Sequence, residues 1–238
     1  MIVREAHPFI SVGEFGLSTN RALTSDRSEG GKSGILCLLN LKWEDLVGRK
    51  ILDVCIGGGN AVSQAIIEGL DYTGIDILPT LETGGNLSWR KKQLAEIAAR
   101  FPGRIIAADA VISLPFKDNC FDLVISSMGM PLYAQNGKEA AWSILEMIRV
   151  SKGKVVFSGG WPDEGDEDPE GFVFIGGEDN LTAFPLKGLL DLVAKVGITY
   201  TRQAYEDMTS FWRSIHLDVS QKDITSFLNL RQEILKES

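Results

Sequence analysis

Histidine and cysteine are scarce: the chain has two of the former, His7 and His216, and three of the latter, Cys37, Cys55 and Cys120. The cysteines are odd in number, widely spaced and never arranged as CxxC. A disulfide framework is therefore not expected, and reduced thiols in a cytoplasmic setting are the simplest reading. No run of about 18 apolar residues occurs, so no membrane span is expected. The opening MIVREAHPFI lacks the basic start and long apolar stretch of a secretory leader. Basic residues are in the minority: 24 Lys and Arg against 32 Asp and Glu leave a net charge of −8. The one short basic cluster is Arg90-Lys91-Lys92. A protein that grips DNA or RNA needs a basic face to displace counterions, so nucleic acid is not an expected partner. No Ser-His-Asp order, zinc spacing or phosphate-binding glycine loop with its lysine is found, and no metal is expected.

What is present is an alternation. Short β-branched strands and helices of 3.6-residue periodicity follow one another through the interior, the pattern of a mainly parallel sheet covered on both faces. Strands are expected at Lys50–Ile56, Tyr72–Ile77, Arg104–Ala108, Phe121–Ser126 and Lys154–Ser158. Between them lie a helix with Val62, Ala65 and Ile66 on one face, capped by Asn60, and a helix with Leu94, Ile97, Ala98 and Phe101 that stops before Pro102-Gly103. A third helix spans Ala140–Val150. A long loop is expected after the fifth strand, then a helix at Leu186–Val196 ended by Gly197. Tyr200–Tyr205 and Phe211–Asp218 have a short junction and are expected to pair antiparallel. A closing helix from Gln221 is expected to be capped by Ser220, with Asp223 three residues on. The chain reads as a single domain: a segment of residues 1–45, an α/β core of residues 46–220 and a C-terminal helix of residues 221–238. Residues 1–45 break the alternation. Gly13–Ser33 is rich in Gly, Ser and Thr, Gly34–Leu41 is apolar enough for a short packed helix, and the whole reads as a cap over the mouth of the sheet.

The segment Ile51-Leu52-Asp53-Val54-Cys55-Ile56-Gly57-Gly58-Gly59-Asn60 is a buried strand running into a tight glycine turn and a helix start. A ligand can lie against backbone only where no Cβ intrudes, and open α/β sheets bind ligands beyond the carboxyl ends of their strands. Read as GxGxxG, the turn would place Gly57, Gly59 and Val62, and Val62 spoils the third position. Asp76, ending the second strand, suits a ribose diol in a nicotinamide enzyme as well as in others. Two more acids narrow the field. Asp53 is a charge inside an apolar strand, costly unless paired or used. Asp109 follows the third strand and opens DAVISLPFKDNCFD.

This ordered set resembles the class I S-adenosylmethionine-dependent methyltransferase family, in its small-molecule branch. The matching positions are Asp53 with Gly57 and Gly59, Asp76, Asp109, Leu114-Pro115-Phe116, Phe121-Asp122, and Ile144–Val150 leading to Gly153–Phe157. The resemblance covers roughly residues 48–205. It implies a Rossmann-like, mainly parallel seven-stranded sheet with helices on both faces and an antiparallel last strand. It further implies that the glycine turn meets the methionine part of S-adenosyl-L-methionine, that Asp53 favours its ammonium group, and that Asp76 accepts from both ribose hydroxyls. Asp109 would accept from the adenine amine with the Ala110 N–H facing the ring, Ile77 would pack on the adenine face, and Ser126 would close the set from strand four. The chain departs from the pattern at Cys55, where the family's first glycine stands, and at Ile56. The implied activity is transfer of a methyl group to a small-molecule acceptor. A protein or RNA methyltransferase, and a non-catalytic or NAD-binding protein of the same fold, are the alternatives.

Acceptor-side candidates are less specific. Ser126-Ser127-Met128-Gly129-Met130-Pro131-Leu132-Tyr133 follows strand four, where acceptors approach; Met128 and Met130 suit an apolar pocket or plain packing. Tyr133, His7 and His216 are the candidates for contact with the reacting group. The acidic run Asp163–Glu170 would attract a cationic acceptor or simply be a solvated loop. Oligomeric state is left open, with a homodimer among the options.

Overall fold

The structure is a computed structural model and describes residues 34–77, 88–160, 172–175, 182–204 and 212–236. Seven strands form one sheet in the order β3-β2-β1-β4-β5-β9-β8. They are β1 (Lys50–Val54), β2 (Asp71–Asp76), β3 (Ile105–Ala107), β4 (Phe121–Ser127), β5 (Ser151–Gly160), β8 (Thr199–Ala204) and β9 (Trp212–Asp218). The pairings among β1 to β5 are parallel, and β9 runs antiparallel to both β5 and β8. This is the expected seven-stranded arrangement with its last strand reversed. The strand order changes direction between β1 and β4, which puts the switch point, and so the natural ligand crevice, at their carboxyl ends.

Strict alternation along the strands feeds two cores. Ile51, Tyr72, Leu123, Ile125 and Val156 face one side, with Ala61, Val62 and Ala65 of α2 (Asn60–Ile67). The same core takes Leu36 of α1 (Ile35–Leu38), then Leu39, Leu41 and Leu46 around a 3-10 turn at Trp43–Asp45. Leu52, Val54, Ile75, Val124, Val155 and Phe157 face the other side, against α4 (Gly137–Val150), α5 (Leu186–Ala194) and Phe227 of α6 (Ile224–Lys236). The helix α3 (Ser88–Arg100) lies beside α2, with Leu94 and Ile97 over Gly59.

Several expectations shift. The first strand ends at Val54 and not Ile56, because Cys55 leaves the extended region at φ +67°. Gly59, at φ +78°, takes the cap position expected of Asn60, which is the first helical residue. The loop expected after β5 contains an antiparallel hairpin, β6 (Phe172–Ile175) with β7 (Thr182–Pro185). The last helix starts at Ile224; Asp223 accepts from the Ser226 N–H at 3.1 Å, while the Ser220 hydroxyl turns back to Asp218 at 2.6 Å. Of the segment 1–45, residues 1–33 lie outside the described residues. The part from Gly34 on is packed into the first core and onto β9.

Candidate functional site

The site is built where β1 and β2 end. Asp53 is 1% exposed and shares a sheet face with Tyr72, whose hydroxyl donates to Asp53 Oδ2 at 2.8 Å. Burial pushes the Asp53 carboxyl up to about 7; the Tyr72 hydrogen bond works against that rise, and the neighbouring Asp76 adds to it. A half-ionised carboxyl held in the core is a group prepared for a positive charge, which would bring it fully to the anion.

Asp76, buried at the end of β2, accepts from the Gly57 N–H at 2.8 Å. This bond ties the second acid to the glycine turn. Three residues of that turn have left-handed backbone: Cys55 at φ +67°, Gly57 at +56° and Gly59 at +78°. Glycine is at ease there, and its missing Cβ leaves the backbone open to a ligand. Cys55 is the strained member. Burial raises its thiol pKa, with Asp76 as the next cause, so it stays a neutral thiol.

Asp109 follows β3 and caps its own turn: the Val111 N–H donates to Asp109 Oδ1 at 3.0 Å and the Ile112 N–H to its carbonyl at 3.1 Å. Ala110 is buried beside it, and Ile77 is half-buried just after Asp76. The next residues are clamped from below. Glu146, fully buried on α4, accepts from the Leu114 N–H at 2.8 Å and from Arg149 at 2.9 and 2.7 Å, and it also meets Arg231. Arg149 donates to the Leu114 and Phe116 carbonyls, each at 2.8 Å, and to Asp118 at 2.7 Å. Burial alone would raise the Glu146 pKa; its hydrogen bonds and the two guanidinium groups outweigh this and lower it. The Leu-Pro-Phe segment is thus fixed in place under Asp109 by a buried polar network.

The loop after β4 completes the mouth. Ser126 is fully buried and donates to the Val54 carbonyl at 3.1 Å, so it braces β4 against β1. Met128 has φ +53°, and its N–H donates to Ser158 Oγ at 3.1 Å. Gly129 nests against the glycine turn: a Cβ there would lie 2.7 Å from Cys55 Cβ, 2.6 Å from Ser126 Oγ and 3.0 Å from the Val54 carbonyl. Only a glycine lets the two loops approach this closely. Tyr133 is 36% exposed, and its hydroxyl end lies within electrostatic reach of Cys55, Asp76 and Arg90. Burial of that end raises its pKa, Cys55 and Asp76 add to the rise, and Arg90 acts in the opposite sense.

His216 is elsewhere. It pairs with Val156, which pairs with Ile125, which pairs with Asp53. The histidine therefore lies in the same row three strands away, about 14 Å from Asp53 at ordinary strand spacing. Its ring hydrogen-bonds the Leu39 backbone and stands 3.1 Å from Ser214 Oγ, beneath α1. Burial lowers its pKa, keeping it neutral. His7 and the acidic run Asp163–Glu170 lie outside the described residues. The structure thus brings together Asp53, Gly57, Gly59, Asp76 and Tyr133, sets Asp109, Ala110 and Ile77 along the neighbouring strand ends, and uses Ser126 as a brace. Two participants escaped sequence reasoning. Tyr72 hides as an ordinary core aromatic, since only strand register shows that it reaches Asp53. Arg90 was visible only as part of a basic cluster. Among the described residues no group of His, Cys, Asp and Glu could hold a metal ion, and no helix is long and apolar enough to cross a membrane.

Known proteins resemble this chain over its α/β core. Residues 52–157 match the family described as "Methyltransferase domain". The ubiquinone biosynthesis O-methyltransferase of Dechloromonas aromatica is 35% identical over 94 residues, 34% of this chain and 39% of that protein. The demethylmenaquinone methyltransferase of Renibacterium salmoninarum is 34% identical over 111 residues, 46% of this chain and 40% of that protein. The chain spans about two fifths of the length of these curated relatives. Among solved structures, an O-methyltransferase family protein from Burkholderia thailandensis superposes with a TM-score of 0.52 at 11% identity, over 79% of this chain and 56% of that one, and so shares the fold.

Proposed function

We propose that the chain is, through its α/β core, a class I S-adenosylmethionine-dependent methyltransferase that moves the methyl group of S-adenosyl-L-methionine to a small organic acceptor; the match of residues 52–157 to the methyltransferase domain supports this. The observation that carries this reading is the acid pair at the switch point. Asp53 and Asp76 close the carboxyl ends of β1 and β2, with Asp76 holding the glycine turn by the Gly57 N–H. When bound, the cofactor supplies a methyl group already activated on a positively charged sulfur. The residues fit that cation: three carboxylates line the strand ends, and an open glycine backbone runs between them.

The roles follow. Asp53 would hold the ammonium end, Asp76 the ribose hydroxyls, and Asp109 with the Ala110 N–H the adenine; Ile77 would pack on the ring. Ser126 keeps β4 in register with β1 and sets the depth of the trough. Gly129 and Tyr133 face the acceptor side. Tyr133 stays protonated at neutral pH and would donate a hydrogen bond that positions the acceptor. Alignment of acceptor and methyl group in line, with water excluded, is the main contribution asked of the protein, and such positioning is worth about 7–11 kcal/mol. The segment 1–45 would supply part of the acceptor pocket, anchored from Gly34 onward. Asn40 makes that anchor through hydrogen bonds to Ser214 Oγ at 3.0 Å and the Gln203 carbonyl at 3.4 Å. Both curated relatives carry names of enzymes that modify small quinone-related molecules, which supports a small organic acceptor. Cys37, Cys55 and Cys120 are free thiols, which suits the cytoplasm.

Calorimetry with S-adenosylmethionine, S-adenosylhomocysteine and NAD tests the reading. Micromolar binding of the first two and none of NAD is expected; heat with NAD alone would overturn it.

A further inference from the structure

Arg90 lies in the first turn of α3. Three and four residues on, Gln93 and Leu94 hold this helix against the start of α2. The Gln93 side-chain amide donates to Asn60 Oδ1, and Leu94 and Ile97 lie 3.0 and 3.1 Å from the place a Gly59 Cβ would take. Residues at i+3 and i+4 share a helix face. Arg90 is therefore on the face turned to the glycine turn. It stands one helical turn, about 5 Å, closer to the helix start and so beyond that turn, over the carboxyl ends of the strands. The hydroxyl end of Tyr133, in the loop after β4, lies within electrostatic reach of Arg90, Cys55 and Asp76.

The Arg90 guanidinium is one of several that form no ion pair among the described residues. It is half-buried, lies 5.3 Å from the Trp89 ring centre, and has no carboxylate partner among the described residues. Arg104 is neutralised by Asp71, Arg149 by Glu146 and Asp118, and Arg231 by Glu146, whereas Arg49 and Arg100, like Arg90, form no ion pair among the described residues. The floor of the site is acidic, through Asp53, Asp76 and Asp109. That floor attracts a cationic cofactor but would repel an acceptor carrying negative charge, unless a cation stood at the mouth. Arg90 is such a cation. Trp89, 47% exposed, sets an aromatic face beside it, suited to a flat conjugated molecule.

We propose that Arg90, together with the Tyr133 hydroxyl, receives an anionic group of the acceptor, which makes the acceptor class an aromatic or conjugated acid and not an amine. The inference rests on the methyltransferase reading above. It assigns the two charges of the reaction complex to opposite walls, the cofactor's to the carboxylates and the acceptor's to the guanidinium.

The full chain loaded with S-adenosylhomocysteine would be titrated with 4-hydroxybenzoate and with its uncharged counterpart 4-hydroxybenzamide, read by tryptophan fluorescence and calorimetry. The carboxylate is expected to bind about ten-fold tighter or more, the worth of one charged hydrogen bond. Arg90→Gln should bring the two probes to near parity while leaving S-adenosylhomocysteine affinity in place, and Arg90→Lys should restore part of the difference. Equal binding of both probes to the wild-type protein overturns the inference, as does a preference that survives Arg90→Gln. A large loss of S-adenosylhomocysteine affinity in Arg90→Gln, with the probe preference intact, overturns it too, because the guanidinium then serves the cofactor's own carboxylate. Failure of the wild-type protein to bind S-adenosylhomocysteine at all overturns the methyltransferase reading itself, and the two failures are thereby distinguished.

Discussion

The Tyr72 hydroxyl donates to Asp53 Oδ2 at 2.8 Å across the β1–β2 pairing, inside a core where both side chains are all but inaccessible. This contact makes Asp53 the most informative titrating group of the site. An unfolded aspartate ionises near 3.9, whereas the folded one does so at about 7 because burial outweighs the Tyr72 bond. Between these values the folded chain keeps a proton that the unfolded chain has lost. The raised pKa therefore favours the fold at low pH, and the advantage is lost as pH rises through 7. Relative to Asp53→Asn, the ligand-free wild-type protein should lose roughly 2–3 kcal/mol between pH 5 and pH 8 in urea unfolding. Parallel pH profiles for the two proteins would sink the assignment. Tyr72→Phe removes the opposing bond and should push the transition to higher pH.

Asp76 has two tasks, the Gly57 N–H and, in the proposed function, the ribose. Asp76→Asn keeps its shape but loses its charge. S-adenosylhomocysteine binding should weaken by about 1.5–3 kcal/mol, or roughly 10- to 150-fold. Calorimetry on the folded variant checks this, and an unchanged affinity would move the ribose site elsewhere.

Gly129→Ala forces a Cβ to within 3.0 Å of three groups at once. Overpacking of this kind costs about 1–3 kcal/mol. Cys55→Gly removes one of the three obstacles and relieves the left-handed cysteine. The double variant should therefore be less destabilised than the sum of the singles, by about 0.5–1 kcal/mol. Strict additivity in thermal unfolding would show that the loops do not touch as described.

Glu146→Ala leaves Arg149 and Arg231 without their shared carboxylate in a buried setting. A loss of about 3–5 kcal/mol is expected in chemical denaturation. A loss below 1 kcal/mol would mean that the network relaxes freely and does not clamp the Leu114–Phe116 segment.

For the N-terminal segment, hydrogen exchange with and without S-adenosylmethionine is decisive. Slowing within residues 13–33 on cofactor addition is expected if this part closes over the acceptor. Equal exchange in both states, with full turnover after deletion of residues 1–30, would remove it from the site.

Much of this was legible in the sequence because its signals are local. A strand, a glycine turn and an acid at each strand end are short, ordered and periodic; Asp53 and Asp76 stand in the last residues of β1 and β2, and Asp109 just after β3. The β6–β7 hairpin was missed although Phe172–Ile175 is apolar throughout, because a short strand outside the main sheet carries no alternation to mark it. Asn60 looked like a helix cap because side-chain chemistry favours it. The left-handed backbone at Gly59 takes that place instead, beneath the side chains of Leu94 and Ile97. What stayed hidden depends on register and helix rotation. Tyr72 reaches Asp53 only through the alignment of two strands, and Arg90 reaches the mouth only because Gln93 and Leu94 fix the rotation of α3.

Because β9 sits between β5 and β8, β5 has no outer neighbour until residue 212 has been made; Gly160 and Trp212 are its outermost pair. At ordinary rates of synthesis, roughly 3–10 s separate those two residues. During that interval Val155, Val156 and Phe157 lie on an open β-edge, a template for pairing with another nascent chain. The strand order that sets the crevice between β1 and β4 also makes the birth of this protein its moment of greatest risk, and it should depend on holdase chaperones more than a sheet completed in chain order would.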